Sequence, residues 1–214
     1  MRKILSKITS LATAMMIVSF APAVQAGVVN VGTYGSGLND CTIGCMAQYQ
    51  QSYSASFFGG DAVNLTDVTY YSALGSYFGE YDVFMSYAAG PLTTNLESNN
   101  ATPWSYYASI DLSTVTAASQ LVMNGLFEYD PSQGDLLIGF VRTSDTSLGN
   151  FRATQLVGLE RAYEWPHGIR SAHAGYALNT TFTTREVNRV PEPAPLLLLG
   201  MGLLGFGLIR RKKS

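Results

Sequence analysis

Lysine is missing from the whole stretch between Gly27 and Arg189, and charge of either sign is scarce, at 13% of the 214 residues. A typical soluble domain is about 25% charged. Cations crowd instead into the two ends, as Arg2, Lys3 and Lys7 at the start and Arg210, Arg211, Lys212 and Lys213 at the finish. Between Gly27 and Arg189 six arginines face fourteen acids, a net charge of −8. Nothing there could neutralise a run of phosphates, so nucleic acid is excluded as a partner. No repeat of about 20–50 residues, no sustained heptad and no series of long apolar runs is present. Solenoid, coiled-coil and multi-span membrane folds fall with them. H-E-x-x-H, Gly-x-Ser-x-Gly, phosphate-cradling glycine loops and the D-x-[DN]-x-[DN]-G calcium loop are missing too.

What is present at the ends reads as processing signal. Arg2, Lys3 and Lys7 lead into an apolar stretch over residues 8–20, then Ala-Pro-Ala-Val-Gln-Ala. This is the build of a secretory signal peptide over residues 1–26, with signal peptidase expected to cut between Ala26 and Gly27. At the other end Pro191-Glu192-Pro193 precedes an uncharged run over residues 194–209, closed by Arg210 and Arg211. As a helix, residues 196–209 would span about 21 Å, short of a hydrocarbon layer of about 30 Å. Gly200, Gly202, Gly205 and Gly207 would weaken it further. Such a span suits a temporary hold on the inner membrane, with the terminal cations on the cytoplasmic side.

A proline-flanked glutamate, a short apolar helix and an arginine-rich tail, in that order, resemble the PEP-CTERM sorting signals of exported bacterial proteins. The resemblance covers residues 190–214. It implies recognition by an exosortase, removal of the tail near Pro191, Glu192 and Pro193, and delivery of the mature protein to the cell surface or extracellular polysaccharide matrix. Parts of the interior, including Tyr129-Asp130-Pro131-Ser132-Gln133-Gly134-Asp135, more loosely resemble the exported domains that such signals accompany.

The interior predicts an all-β domain over residues 27–184, a single antiparallel β-sandwich of jelly-roll type, joined by a polar tether over residues 185–189 to the sorting signal. Period-two alternation marks strands around 63–71, 81–87, 106–112, 121–129, 136–142, 151–159 and 176–184. The Asp130–Gly134 turn predicts a hairpin between the fourth and fifth of these. The fifth is apolar on both faces and is expected to lie centrally. Residues 42–52 leave helix and strand both open.

Cys41 and Cys45 are the only cysteines. In an oxidising compartment a structural disulfide between them is expected, closing a short loop worth about 2 kcal/mol. His167 and His173 share a segment with Trp165, Arg161 and Arg170, but Pro166 and Gly168 interrupt any common strand face. They read as polar loop histidines. Thirteen tyrosines, all between Tyr34 and Tyr176, fit half-buried strand packing and could also meet sugar rings. Trp104 is the expected stacking platform, and Trp165, His167 and His173 the next candidates for ligand contact. Glu80, Asp82, Asp111, Asp130 and Asp135 show no spacing that marks a catalytic pair. The sequence therefore predicts an exported structural or adhesive protein with no catalytic residue, metal or cofactor. Carbohydrate binding is the first alternative and matrix hydrolysis the second.

Overall fold

The computed structural model describes residues 26–33, 38–40, 43–145 and 149–187. The signal peptide before Ala26, together with Pro191, Glu192, Pro193, Arg210, Arg211 and the apolar segment between them, lies outside the described residues. So does Cys41. Among the described residues no helix is long and apolar enough to cross a membrane.

Among the described residues eleven strands run in chain order: β1 (Ala26–Val31), β2 (Leu38–Asp40), β3 (Gln48–Tyr53), β4 (Val63–Tyr71), β5 (Glu80–Tyr87), β6 (Ser105–Asp111), β7 (Gln120–Tyr129), β8 (Leu136–Arg142), β9 (Phe151–Glu164), β10 (Arg170–Leu178) and β11 (Thr180–Glu186). They form two antiparallel sheets. The smaller has the order β1-β11-β4-β7, and the larger β10-β9-β3-β8-β5-β6, with β2 paired to β9. One buried cluster draws from both, including Tyr53, Tyr81, Phe140 and Leu159 of the larger sheet and Leu65, Tyr70, Met123 and Phe182 of the smaller. The all-β expectation holds.

Alternation gives each sheet one inward face. Tyr49, Gln51 and Tyr53 of β3 are all fully buried, and register places Tyr163, Arg161 and Leu159 of β9 and Phe140, Ile138 and Leu136 of β8 beside them. Tyr53 reaches across the core, within 2.8 Å of the Tyr70 hydroxyl and 2.7 Å of Thr180 Oγ1. Gln51 tolerates complete burial because its amide nitrogen donates to the Leu178 carbonyl and its oxygen accepts from the Leu178 N–H and the Tyr49 hydroxyl. A buried polar group with its partners in place costs little. β8 lies between β3 and β5, in the interior position that its two apolar faces demand.

One open alternative is decided and two sequence expectations need correction. Of residues 42–52, residues 43–45 turn and β3 begins at Gln48, with no helix among residues 43–52. The turn after Tyr129 forms, with Asp130 capping a short 3-10 turn through the Ser132 N–H, yet it does not join a hairpin. β7 pairs with β4 and β8 with β3 and β5, so this connection crosses from one sheet to the other. Residues 176–184 are not one strand either. Asn179 separates β10 in the larger sheet from β11 in the smaller, and the crossing buries residues 177–180 in a row, although the sequence keeps its period-two pattern. Cys45 is buried and is not a free thiol.

Among the described residues β1 has a single sheet neighbour, β11, and pairs with it from Ala26 opposite Arg185 to Val31 opposite Thr180. The first and last strands of the domain thus lie side by side.

Candidate functional site

The outer face of the larger sheet, turned away from the core, carries the site. Register lines up Gln48 with Val141, and Gln50 with Gly139 and Phe84, across β3, β8 and β5. Tyr106 of β6 sits opposite Phe84. Over these strands folds the long β5–β6 connection, residues 88–104. Its Leu92 and Leu96 pack with Leu137 and Ala162 in a second, smaller apolar cluster, against which Trp104 is half-buried.

The loop is pinned at several points. The Gln50 side-chain amide donates to the Leu96 carbonyl at 2.9 Å, and Asn99 donates to Gln50 Oε1 at 2.8 Å. The Leu92 N–H donates to a Glu160 carboxylate oxygen at 2.6 Å. Arg170 forks onto both oxygens of Glu97, at 2.8 and 3.0 Å, while its Nε donates to Glu164 at 2.5 Å. A planar guanidinium meeting a carboxylate in this two-point fashion fixes orientation as well as distance. Arg170 also holds the Glu97 carboxyl below its ordinary pKa.

Where the loop ends, a groove of about 270 Å³ remains, lined by Trp104, Phe84, Gly139, Val141, Gln48, Gln50 and Glu97 among others. Its floor exists because residue 139 has no side chain. A Cβ there would stand 2.9 Å from Cη2 of Trp104, so the indole lies directly on the strand backbone. Phe84 meets Trp104 edge-on at 6.5 Å and Tyr106 edge-on at 5.9 Å. Tyr106 is 58% exposed and Val141 39%. The three rings extend the groove into an apolar shelf beside β6.

The chain's two tryptophans have different settings. Trp165 opens the turn between β9 and β10, where its N–H donates to the Ile169 carbonyl, and its ring stands edge-on to Tyr163. His173 stacks on the same Tyr163 at 5.8 Å, with Nε2 3.2 Å from the phenol oxygen. His167 lies exposed in that turn. None of Trp165, His167 or His173 lines the groove. Trp104 does, as the indole wall of a cleft rather than a free platform. The sequence overlooked Phe84, Gln48 and Gly139. A glycine within an otherwise apolar strand was the available signal, since it marks a site of close approach.

The acids noted in the sequence are engaged separately. Asp111 and Asp130 cap short turns, Asp135 accepts from the Ala55 N–H, and Asp82 accepts from the Ser109 hydroxyl. The Ser113 N–H and hydroxyl hold Asp111 below its ordinary pKa. Deeper in the larger sheet, Arg161 pairs with Asp40 and lies between the rings of Tyr163 and Tyr176. Burial lowers its pKa. Among the described residues no three His, Cys, Asp or Glu side chains gather as a metal site.

Beyond this sandwich, just past β11, residues 189–212 match the family model for the PEP-CTERM protein-sorting motif. The chain carries a PEP-CTERM sorting motif. It is an exported protein, sorted by an exosortase, whose precursor is anchored in a membrane. The motif occupies the end of the chain alone. No curated protein and no solved structure matches the chain.

Proposed function

We propose that the sorted protein works at the cell surface or in the extracellular matrix as an adhesive domain, holding polysaccharide in the groove beside Trp104. The observation that carries this reading is the indole laid on Gly139 with Phe84 at its edge, in a groove that Gln48, Gln50 and Glu97 also line. Sugar rings present one apolar face and a rim of hydroxyls. An aromatic wall takes the first, and Gln48 and Glu97 can meet the second. The volume sits at the small end of ligand pockets, which start at roughly 300 Å³, and so suits a single sugar unit of a chain that continues over the Phe84–Tyr106 shelf. A net charge of −8 between Gly27 and Arg189 favours neutral over anionic polymer.

Binding of the mature protein to the producing cell's own matrix polysaccharide tests this. Trp104→Ala is expected to weaken binding at least about tenfold, equivalent to about 1.4 kcal/mol. Because Trp104 also packs against the sheet, Gln48→Ala serves as a variant that leaves the apolar contacts untouched, and it too should weaken binding. Trp165→Ala should bind as the parent does. Equal binding by all four proteins would defeat the proposal.

For the sorting step, Pro191 and Glu192 with Pro193 form the recognition segment, and Arg210 and Arg211 hold the tail on the cytoplasmic side. Changing Pro191→Ala together with Pro193→Ala should leave the full-length chain in the membrane fraction. Release equal to that of the parent would refute this assignment. Signal peptidase acts between Ala26 and Gly27, and Cys41 closes a disulfide with Cys45, consistent with Cys45 not being free.

A further inference from the structure

The register fixes where Ala26 and Glu186, the described residues next to the two processing segments, lie relative to the groove. Ala26 stands opposite Arg185, and Glu186 opposite Val63, which pairs in turn with Tyr129. One end of the smaller sheet therefore gathers the start of β1, the end of β11 and the end of β7. Tyr129 stacks on Tyr87 at 5.5 Å across the core, and the Tyr87 hydroxyl accepts from the Asp130 N–H at 2.9 Å. Tyr87 is paired with Leu136, and Leu136 with Tyr53. This pole thus continues into the larger sheet as the Tyr53–Leu136–Tyr87 row.

From that row the groove lies up the strands. Gly139 is three residues along β8 and Val141 five, about 10 and 17 Å at an ordinary strand rise. Phe140 touches Tyr70, near the opposite end of β4, with ring centroids 5.7 Å apart, so the two sheets run in step. The Trp165 turn follows Glu164, which is paired with Gln48 at that same far end. From Glu186 at the near pole, Pro191 follows five positions on in the sequence. Five residues span at most about 17 Å.

We infer that the anchored precursor stands on the bilayer by its β1–β11 pole and opens the Trp104 groove away from the membrane, so that polysaccharide is captured before the tail is cut. The orientation rests on the membrane-anchored state that the sorting motif implies, and its use in capture rests on the groove reading above. The sorting segment follows the end of β11, beside the start of β1, so the anchor pulls this pole towards the bilayer. It does not draw the outer face of the larger sheet onto the lipid. A polymer bound at this stage would leave with the protein when the exosortase cuts, which would make the cut a release step for a loaded carrier.

The full-length chain in phosphatidylcholine vesicles containing nitroxide-headgroup lipid provides the test, because its native tryptophans both stand off the near pole, Trp165 at the far end of the larger sheet and Trp104 against Gly139 midway along β8. Their emission is expected to match that in unlabelled vesicles. Glu128→Trp places a third indole on the exposed outer face at the near pole, and it should add a component that the nitroxide quenches. Quenching of the native pair, or absence of quenching in Glu128→Trp, would overturn the orientation. Adding matrix polysaccharide to the same vesicles then separates the two ideas. Bound polymer with unquenched tryptophans supports capture on the membrane. No bound polymer with the same fluorescence defeats the groove reading and leaves the orientation standing.

Discussion

Titration above pH 10 is expected to unfold the domain in one cooperative step. Tyr49, Tyr53 and Tyr70 are wholly enclosed, and burial raises each phenol well above its ordinary value. Tyr107 and Tyr129 are raised mainly by burial as well, with Asp67 and Asp135 adding to the shift. The sign follows from linkage. Below about pH 10 these groups are neutral in both folded and unfolded chains and contribute no pH dependence. Above it the unfolded chain releases protons that the folded one retains, so stability falls as pH rises towards the folded pKa values. Each such group costs up to about 1.4 kcal/mol per pH unit. Five together approach about 7 kcal/mol per unit, comparable with the whole stability of a domain at about 5–15 kcal/mol. Tyrosinate absorbance and far-ultraviolet dichroism should therefore change together between about pH 10 and 12. A gradual rise in tyrosinate with the dichroism intact would show that these phenols ionise in place.

Phe182→Ala should be among the most damaging single changes in the core. Phe182 is fully buried at the middle of β11, with ring centroids 4.9 Å from Tyr53 and 5.0 Å from Phe58, both edge-on. Phe58 in turn meets Tyr129 at 4.9 Å, so the ring joins the two sheets and the 3-10 turn over Ala55–Phe57. Removing it forfeits burial and leaves a cavity that stiff neighbouring strands cannot close, at about 3–5 kcal/mol. Urea unfolding should show the midpoint lowered with the slope unchanged. A loss below about 1 kcal/mol would mean that the sheets close over the gap.

How far the sequence led can be judged from particular residues. Where one face was apolar and the other polar, as in β5 with Tyr81, Val83 and Met85, alternation gave the strand almost to its ends. β3 escaped because its inward face includes Gln51, whose burial depends on the Leu178 backbone, more than a hundred residues away. Asp130, Pro131 and Gly134 specified a turn correctly, but turn chemistry is local and says nothing about which sheet the next strand enters. The same holds at Asn179. Its amide donates to the Thr33 carbonyl and its own N–H to the Arg152 carbonyl, and these distant contacts set the crossing between β10 and β11. At the groove, Trp104 was visible as a candidate, while its partners Gly139, Phe84 and Gln48 came from three other strands that only the sheet brings together. The sorting motif needed no folding to be read, because a linear signal carries its meaning in order and spacing.

The pairing of β1 with β11 also dictates a timetable for assembly. β1, whose one neighbour among the described strands is β11, must wait, unzipped, while about 150 residues pass, and closing so long a loop is the slow kind of folding event. A chain threading outward thus cannot finish its sandwich until Glu186 has emerged, by which time the sorting segment is itself entering the bilayer. Completion of the domain and arrival of its anchor become nearly simultaneous. The peptide bond after Ala26 stays open to proteolysis until that moment and is then zipped into a sheet edge.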